Sequence, residues 1–219
     1  MEKGFTRENK VFLLLSCLFV TLLVVSNIIA SKIMIIGGLM GPAAVLCYAF
    51  TFAISDTMAE VWGKEKTTYI VRLGFLASIV AAILIKVAIA MPASPFWKNQ
   101  SEYSLILGSN IRMVIASMLA YLASQHHDIW AFHFWKGKTK GKYLWIRNNM
   151  STLISQIIDT VIFILVAFYG LGMPLLTMIR DQYILKIIIA IGDTPLVYLF
   201  VYMVRRYIGD ERREKVIEA

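Results

Sequence analysis

The chain has 219 residues, of which 58% are hydrophobic and 16% charged, and its formal net charge is +8. Globular domains in water run near 45–50% apolar and about 25% charged, so this balance excludes an ordinary soluble fold and implies one integral membrane domain spanning residues 1–219. The positive charge does not imply nucleic acid, because the basic residues fall between the apolar blocks rather than on one face.

Six apolar spans are predicted in chain order, each close to the ~20 residues a helix needs to cross a bilayer. They cover about 11–31, 43–63, 68–90, 109–135, 148–170 and 180–206. The expected fold is all-α, a six-helix integral membrane protein. The first block is too long for a signal-peptide core and is expected to remain as a span. Breaks are expected at Gly37-Gly38 with Gly41-Pro42, at the Met91–Pro95 stretch and at Gly170–Pro174. Boundaries of this kind carry an error of a few residues.

Lysine and arginine set the orientation. Lys3, Arg7 and Lys10 precede the first span, and Lys64, Lys66 and Arg72 follow the second. Lys136, Lys138, Lys140, Lys142 and Arg147 separate the fourth and fifth, and Arg205, Arg206, Arg212, Arg213 and Lys215 follow the sixth. Together these are sixteen of the 22 basic residues, all on one side. Both termini are therefore predicted to be cytoplasmic, with the run at 136–142 facing anionic lipid.

Polar residues at membrane depth are the informative ones, because each is costly unless it has a use. At ~1.5 Å per residue, Asp159 lies about 16 Å into the fifth span, near the midplane. Asp193 reaches a similar depth in the sixth, and Asp56 lies on the cytoplasmic side of centre in the second. Each is followed by threonine (Thr160, Thr194, Thr57). Three buried carboxylates at similar depth suggest one shared polar cavity. Glu60, a turn nearer the cytoplasm, fits either an i,i+4 pair with Lys64 or a ligand role.

In the fifth span Asn148, Ser151, Thr152, Ser155, Gln156 and Asp159 recur at three- and four-residue steps, a polar stripe that Phe163 continues. Interhelical hydrogen bonding at about 0.6 kcal/mol each accounts for Ser151 and Thr152, but less well for an aspartate with a glutamine. Gly192 and Pro195 predict a break in the sixth span, of the kind that lines transporter cavities. Lys186 lies seven residues before Asp193 on the same face, where it either joins the site or snorkels, as Lys86 does. Cys17 and Cys47 read as packing residues. His126-His127-Asp128 lacks companions at metal-ligand spacing, so no metal site and no cofactor are expected. No nucleophile elbow, phosphate loop or zinc-protease motif is present, and no enzyme is implied.

The strings VSNIIASK (25–32), FTFAISDTMAEVWGK (50–64), SQHHDIWAFHFWK (124–136), LWIRNNMSTLISQIIDTVIFILVAF (144–168) and LKIIIAIGDTPLVY (185–198) resemble the queuosine-precursor transporter family. Members are small six-helix proteins of the bacterial inner membrane, and the resemblance covers about residues 20–205. It implies uptake of a 7-deazaguanine (7-cyano-7-deazaguanine, 7-aminomethyl-7-deazaguanine or queuine) for queuosine in transfer RNA. The partners it implies are the small-molecule substrate and the lipid bilayer, with no nucleic acid. A homodimer is left open.

A guanine-like edge presents adjacent N–H donors that a carboxylate accepts bidentately, and its carbonyl wants a donor such as Gln156, Asn148 or Asn149. Phe52, Phe163 and Tyr198 offer rings to stack on the base. A cationic aminomethyl group favours a further carboxylate, from Asp56 or Glu60. The competing reading is a substrate-capturing membrane subunit that needs an energising ATPase partner. An inverted repeat of three plus three spans would make the second and fifth helices symmetry mates.

Overall fold

A computed structural model describes the backbone of residues 6–138 and 144–217, and side chains at 6–127, 130–131, 153–192 and 195–209. Its elements in order are α1 (Arg7–Ile29), β1 (Ile33–Ile36), β2 (Leu39–Pro42), α2 (Val45–Trp62), α3 (Lys64–Ala90), α4 (Gln100–Leu107), α5 (Asn110–Lys138), α6 (Leu144–Phe168) and α7 (Leu175–Ile217). Each predicted span coincides with a helix. Among the described residues, three stretches are long and apolar enough to cross a membrane (Arg7–Ile29, Lys64–Ala90 and Gln100–His127), with a fourth if the two arms of α7 count as one span. Helix α3 turns Leu73, Leu76, Val80, Ile83, Leu84 and Val87 outward. An outward apolar face on so long a helix is what lipid solvates. The chain is a multi-pass membrane protein.

Two features were not legible in the pattern. The stretch before α2 is a β-hairpin rather than a plain break, and the connection after α3 contains the short helix α4. The residues pack into two compact units, Met1–Ile29, Ala44–Ala81 and Lys186–Ala219 in the first, Ala30–Ala43 and Ala82–Leu185 in the second.

In the first unit α1 packs on α2, and Phe19, Ile54, Met58 and Ile70 form a buried cluster. Gly74 lets α3 approach α1 closely, since a Cβ there would meet Leu23 Cδ2 at 2.7 Å. One turn on, Asn27 Nδ2 reaches Ser78 Oγ at 3.4 Å and the Leu23 carbonyl at 3.0 Å. Small residues and amide bonds of this kind are how helices associate where hydrophobicity supplies no drive. Helix α2 stops at Gly63, whose φ of 89° suits a residue without a Cβ, and Lys64 begins the next helix.

In the second unit α5 packs along α6, with Met113, Val114, Ala116 and Ala120 buried on one and Phe163, Ile164, Ala167 and Phe168 on the other. Arg112 caps the C-terminal end of α6, donating from Nε to the Val166 carbonyl at 2.7 Å and from Nη2 to the Tyr169 carbonyl. Those are orphan carbonyls of a helix end, and a cation there also opposes the helix dipole. The 127–155 contact at the other end, His127 Nδ1 to Ser155 Oγ at 3.0 Å, shows that the two helices run antiparallel.

The hairpin is built on Gly37 and Gly38, whose φ values of 57° and 82° form the two-residue turn that matches strand twist. Its register pairs Ile36 with Leu39, Ile35 with Met40, Met34 with Gly41 and Ile33 with Pro42. Bonded and non-bonded pairs alternate, so Pro42 falls at a non-bonded position where its missing N–H is not needed. By the same alternation the Met40 N–H points away from β1. It donates instead to Asp181 Oδ2 at 2.9 Å, while Arg180 Nε donates to Oδ1 at 2.8 Å. Asp181 is 1% exposed and clasps the hairpin to the first turns of α7.

Replacing Asp181 by Leu should therefore lower stability in detergent by about 1–3 kcal/mol, because the Met40 N–H is left without its acceptor. Amide exchange should quicken at residues 39–42. Replacing Arg180 by Gln should cost much less, since that side chain is largely exposed. Equal losses from the two substitutions would contradict the clasp.

Candidate functional site

Each aspartate-threonine pair is built the same way on α2 and on α6. Thr57 and Thr160 are both 0% exposed, and their hydroxyls donate to the carbonyls four residues earlier, Ala53 and Gln156, each at 2.7 Å. A threonine that bonds back to its own helix can be buried without any partner from another. It turns inward, and the preceding aspartate, about 100° round the helix, is presented on a different face. At these two positions the hydroxyl bonds stay within the helix.

On α2 the presented face carries Tyr48, Phe52 and Asp56 at four-residue steps. The rings of Tyr48 and Phe52 stack, with centroids 5.9 Å apart and planes 20° apart. Asp56 is exposed, so the chain's own packing does not bury that carboxylate. Lys186 of α7 is only 4% exposed, with Nζ 5.6 Å from the Tyr48 ring centroid. That replaces the snorkelling alternative: the ammonium is held inside against an aromatic face, where a cation–π contact is strengthened by desolvation. Lys86, by contrast, is exposed.

Glu60 does not pair with Lys64 along one helix, since α2 ends at Trp62 and the chain turns at Gly63. Its Oε1 instead accepts from Arg205 Nη2 at 2.6 Å, an exposed ion pair between α2 and α7. Close by, Trp62 Nε1 donates to Glu8 Oε1 at 3.2 Å and Arg7 lies over the Tyr207 ring, tying α1, α2 and α7 together at one end. A small cleft there is lined by Glu8, Val61, Arg205, Ile208 and Gly209.

On α6, Ser155 is buried against His127, Asp159 is half-buried, and Gln156 holds a buried Oε1 with no hydrogen-bond partner among the described residues. Phe163 is buried and edge-packed on Phe168, with centroids 6.2 Å apart, so in this conformation it is part of the helix core. Tyr198 on α7 is 74% exposed. The helix bends by 43° between its Leu175–Gly192 and Pro195–Gly209 arms, where Pro195 removes a backbone donor, so the expected break is a bend within one continuous helix. The side chains of Asn148, Asn149 and Asp193 lie outside the described residues. Sequence reasoning missed Asp181 and Gln182, both fully buried in the first half of α7. Their signal was available as an Asp-Gln pair within an apolar span.

A helical membrane protein with amide and carboxylate side chains set into apolar helices is the architecture of a small-molecule transporter. Residues 42–200 match the family described as putative vitamin uptake transporter, and the chain belongs to that family. Among curated proteins it is similar to the probable queuosine precursor transporter of Bacillus subtilis (strain 168), 26% identical over 193 residues, covering 87% of this chain and 82% of the relative. No solved structure matches.

The Tyr48–Lys186 contact predicts a coupling. Tyr48→Leu should destabilise the purified protein by about 2 kcal/mol, and Lys186→Met should cost less in that background than in wild type. Additive effects in a thermal-melt double-mutant cycle would exclude the contact.

Proposed function

We propose that this chain imports queuosine precursors across the bacterial inner membrane, crossing it six times with both termini cytoplasmic. The substrates of this reading are 7-cyano-7-deazaguanine, 7-aminomethyl-7-deazaguanine or queuine, salvaged for transfer RNA. The observation that carries it is the similarity to a queuosine precursor transporter along nearly the whole chain. Membership of an uptake family accords with transport rather than catalysis.

The chemistry of the side chains supports the same reading. The Watson–Crick edge of a deazaguanine offers N–H donors, from which a carboxylate such as Asp159 accepts. Gln156, one turn away on the same stripe, presents an amide. On the other helix, Phe52 and Tyr48 offer a stacked aromatic pair beside Asp56, whose charge suits an aminomethyl cation. Asp193, Asn148 and Asn149 complete the proposed ligand set. Glu60 is placed at the cytoplasmic mouth, where its bond to Arg205 would have to yield for substrate to leave.

Asp159→Asn should leave expression and folding intact and lower uptake at least tenfold, because one bidentate acceptor becomes half donor. The measurement is queuosine in transfer RNA of cells unable to make deazaguanines and supplied with them externally. Normal queuosine levels in the variant would remove Asp159 from the site.

A further inference from the structure

Gln182 is the most unusual polar residue in the second unit. It is 0% exposed, and neither Nε2 nor Oε1 has a hydrogen-bond partner among the described residues. Buried amides are nearly always bonded, since each unmade bond forfeits the solvation the group gave up. Gln182 is also held rigidly. It follows the clasped Asp181, and Met178 and Leu185 flank it on the same buried face, Leu185 lying against Gly41 of the hairpin. An amide with both functions open, on a fixed helix face, is poised for a partner that carries one donor and one acceptor side by side.

We propose that Gln182 is a specificity-determining ligand for the lactam edge of the transported heterocycle, an inference that rests on the proposed function. A lactam sets a carbonyl oxygen next to an N–H, and a primary amide meets it with N–H to oxygen and oxygen to N–H. Gln156 differs, because it is half-buried and its Oε1 is the buried atom with no partner among the described residues. The two glutamines then divide the work: Gln182 takes the lactam N–H and carbonyl, and Gln156 and Asp159 accept from the exocyclic amino group. The third open acceptor, Asn110 Oδ1, sits at the end of α5 that Arg112 fixes beside residues 166–169, whereas His127 and Ser155 mark the opposite end. Ten or more residues at ~1.5 Å each separate it from the level of Gln156, too far for one small base to bridge, so it is not included.

The division of labour predicts an inverse relation between stability and binding. A buried amide kept open for a ligand burdens the empty protein, so an apolar residue of similar volume should relieve it. The test compares wild type, Gln182→Leu and Gln182→Met as purified full chains, by melting temperature and by affinity for two probes. One probe is 7-cyano-7-deazaguanine. The other is its O-methyl ether, which has lost the lactam N–H. Wild type should bind the first and discriminate against the second by about tenfold or more. The variants should melt no lower than wild type when empty, bind the first probe about tenfold more weakly, and no longer discriminate. Wild-type affinity and discrimination in either variant would overturn the role of Gln182 and leave the transport reading standing. Failure of both variants to fold would make Gln182 a structural residue and overturn it too. Failure of wild type to bind either probe would overturn the inference together with the substrate reading.

Discussion

Hydrocarbon offers no hydrogen bonds, so every polar group in this chain must be satisfied by the protein itself or reserved for something the protein carries. Much of the structure follows from that condition. Ser16, Thr51, Thr57, Ser78 and Thr160 bond back to carbonyls of their own helices. Arg112 closes the end of α6, and Asp181 takes up the Met40 N–H that the hairpin register sends outward. Where hydroxyls and carboxylates are settled in this way, the helices can pack through alanine, glycine and leucine without polar loss.

The same condition gives meaning to the remaining polar groups. Asp56 and Asp159 are turned onto faces that their inward threonines do not share, and among the described residues Gln156 Oε1 and both amide atoms of Gln182 have no hydrogen-bond partner. Carboxylates and amides are the acceptors and paired donors that a nitrogen-rich heterocycle requires. Lys186 is the converse case, a buried cation with its ammonium set against the Tyr48 ring. The two ends differ as well. The predicted cytoplasmic end is tied by exposed pairs such as Glu60–Arg205, which hold weakly and can exchange with water.

Much of this was readable in the chain because membrane spans are written as long apolar runs; each of the six predicted runs falls on a helix, and three or four stretches among the described residues are long and apolar enough to cross. The position of Pro195 announced the bend in α7. The hairpin was not legible: Ile33–Ile36 is a short apolar run like any other, and only the paired positive-φ glycines distinguish it. Of the two readings of Glu60, the helical pair with Lys64 fails because Gly63 ends the helix between them, which spacing alone does not reveal. Lys186 lies at a depth where either snorkelling or burial is physically allowed, and packing against Tyr48 decided it. Asp181 and Gln182 were passed over because they sit near a predicted span end, where polar residues are ordinary. Their complete burial marks them out.

The central claim is that this chain by itself carries a deazaguanine across a membrane, and reconstitution tests it most directly. Purified protein in liposomes, with no other polypeptide present, should move labelled 7-cyano-7-deazaguanine or 7-aminomethyl-7-deazaguanine into the lumen, saturably and in competition with unlabelled base. Binding without luminal accumulation would instead mark a capture subunit that depends on an ATPase, and would contradict the account.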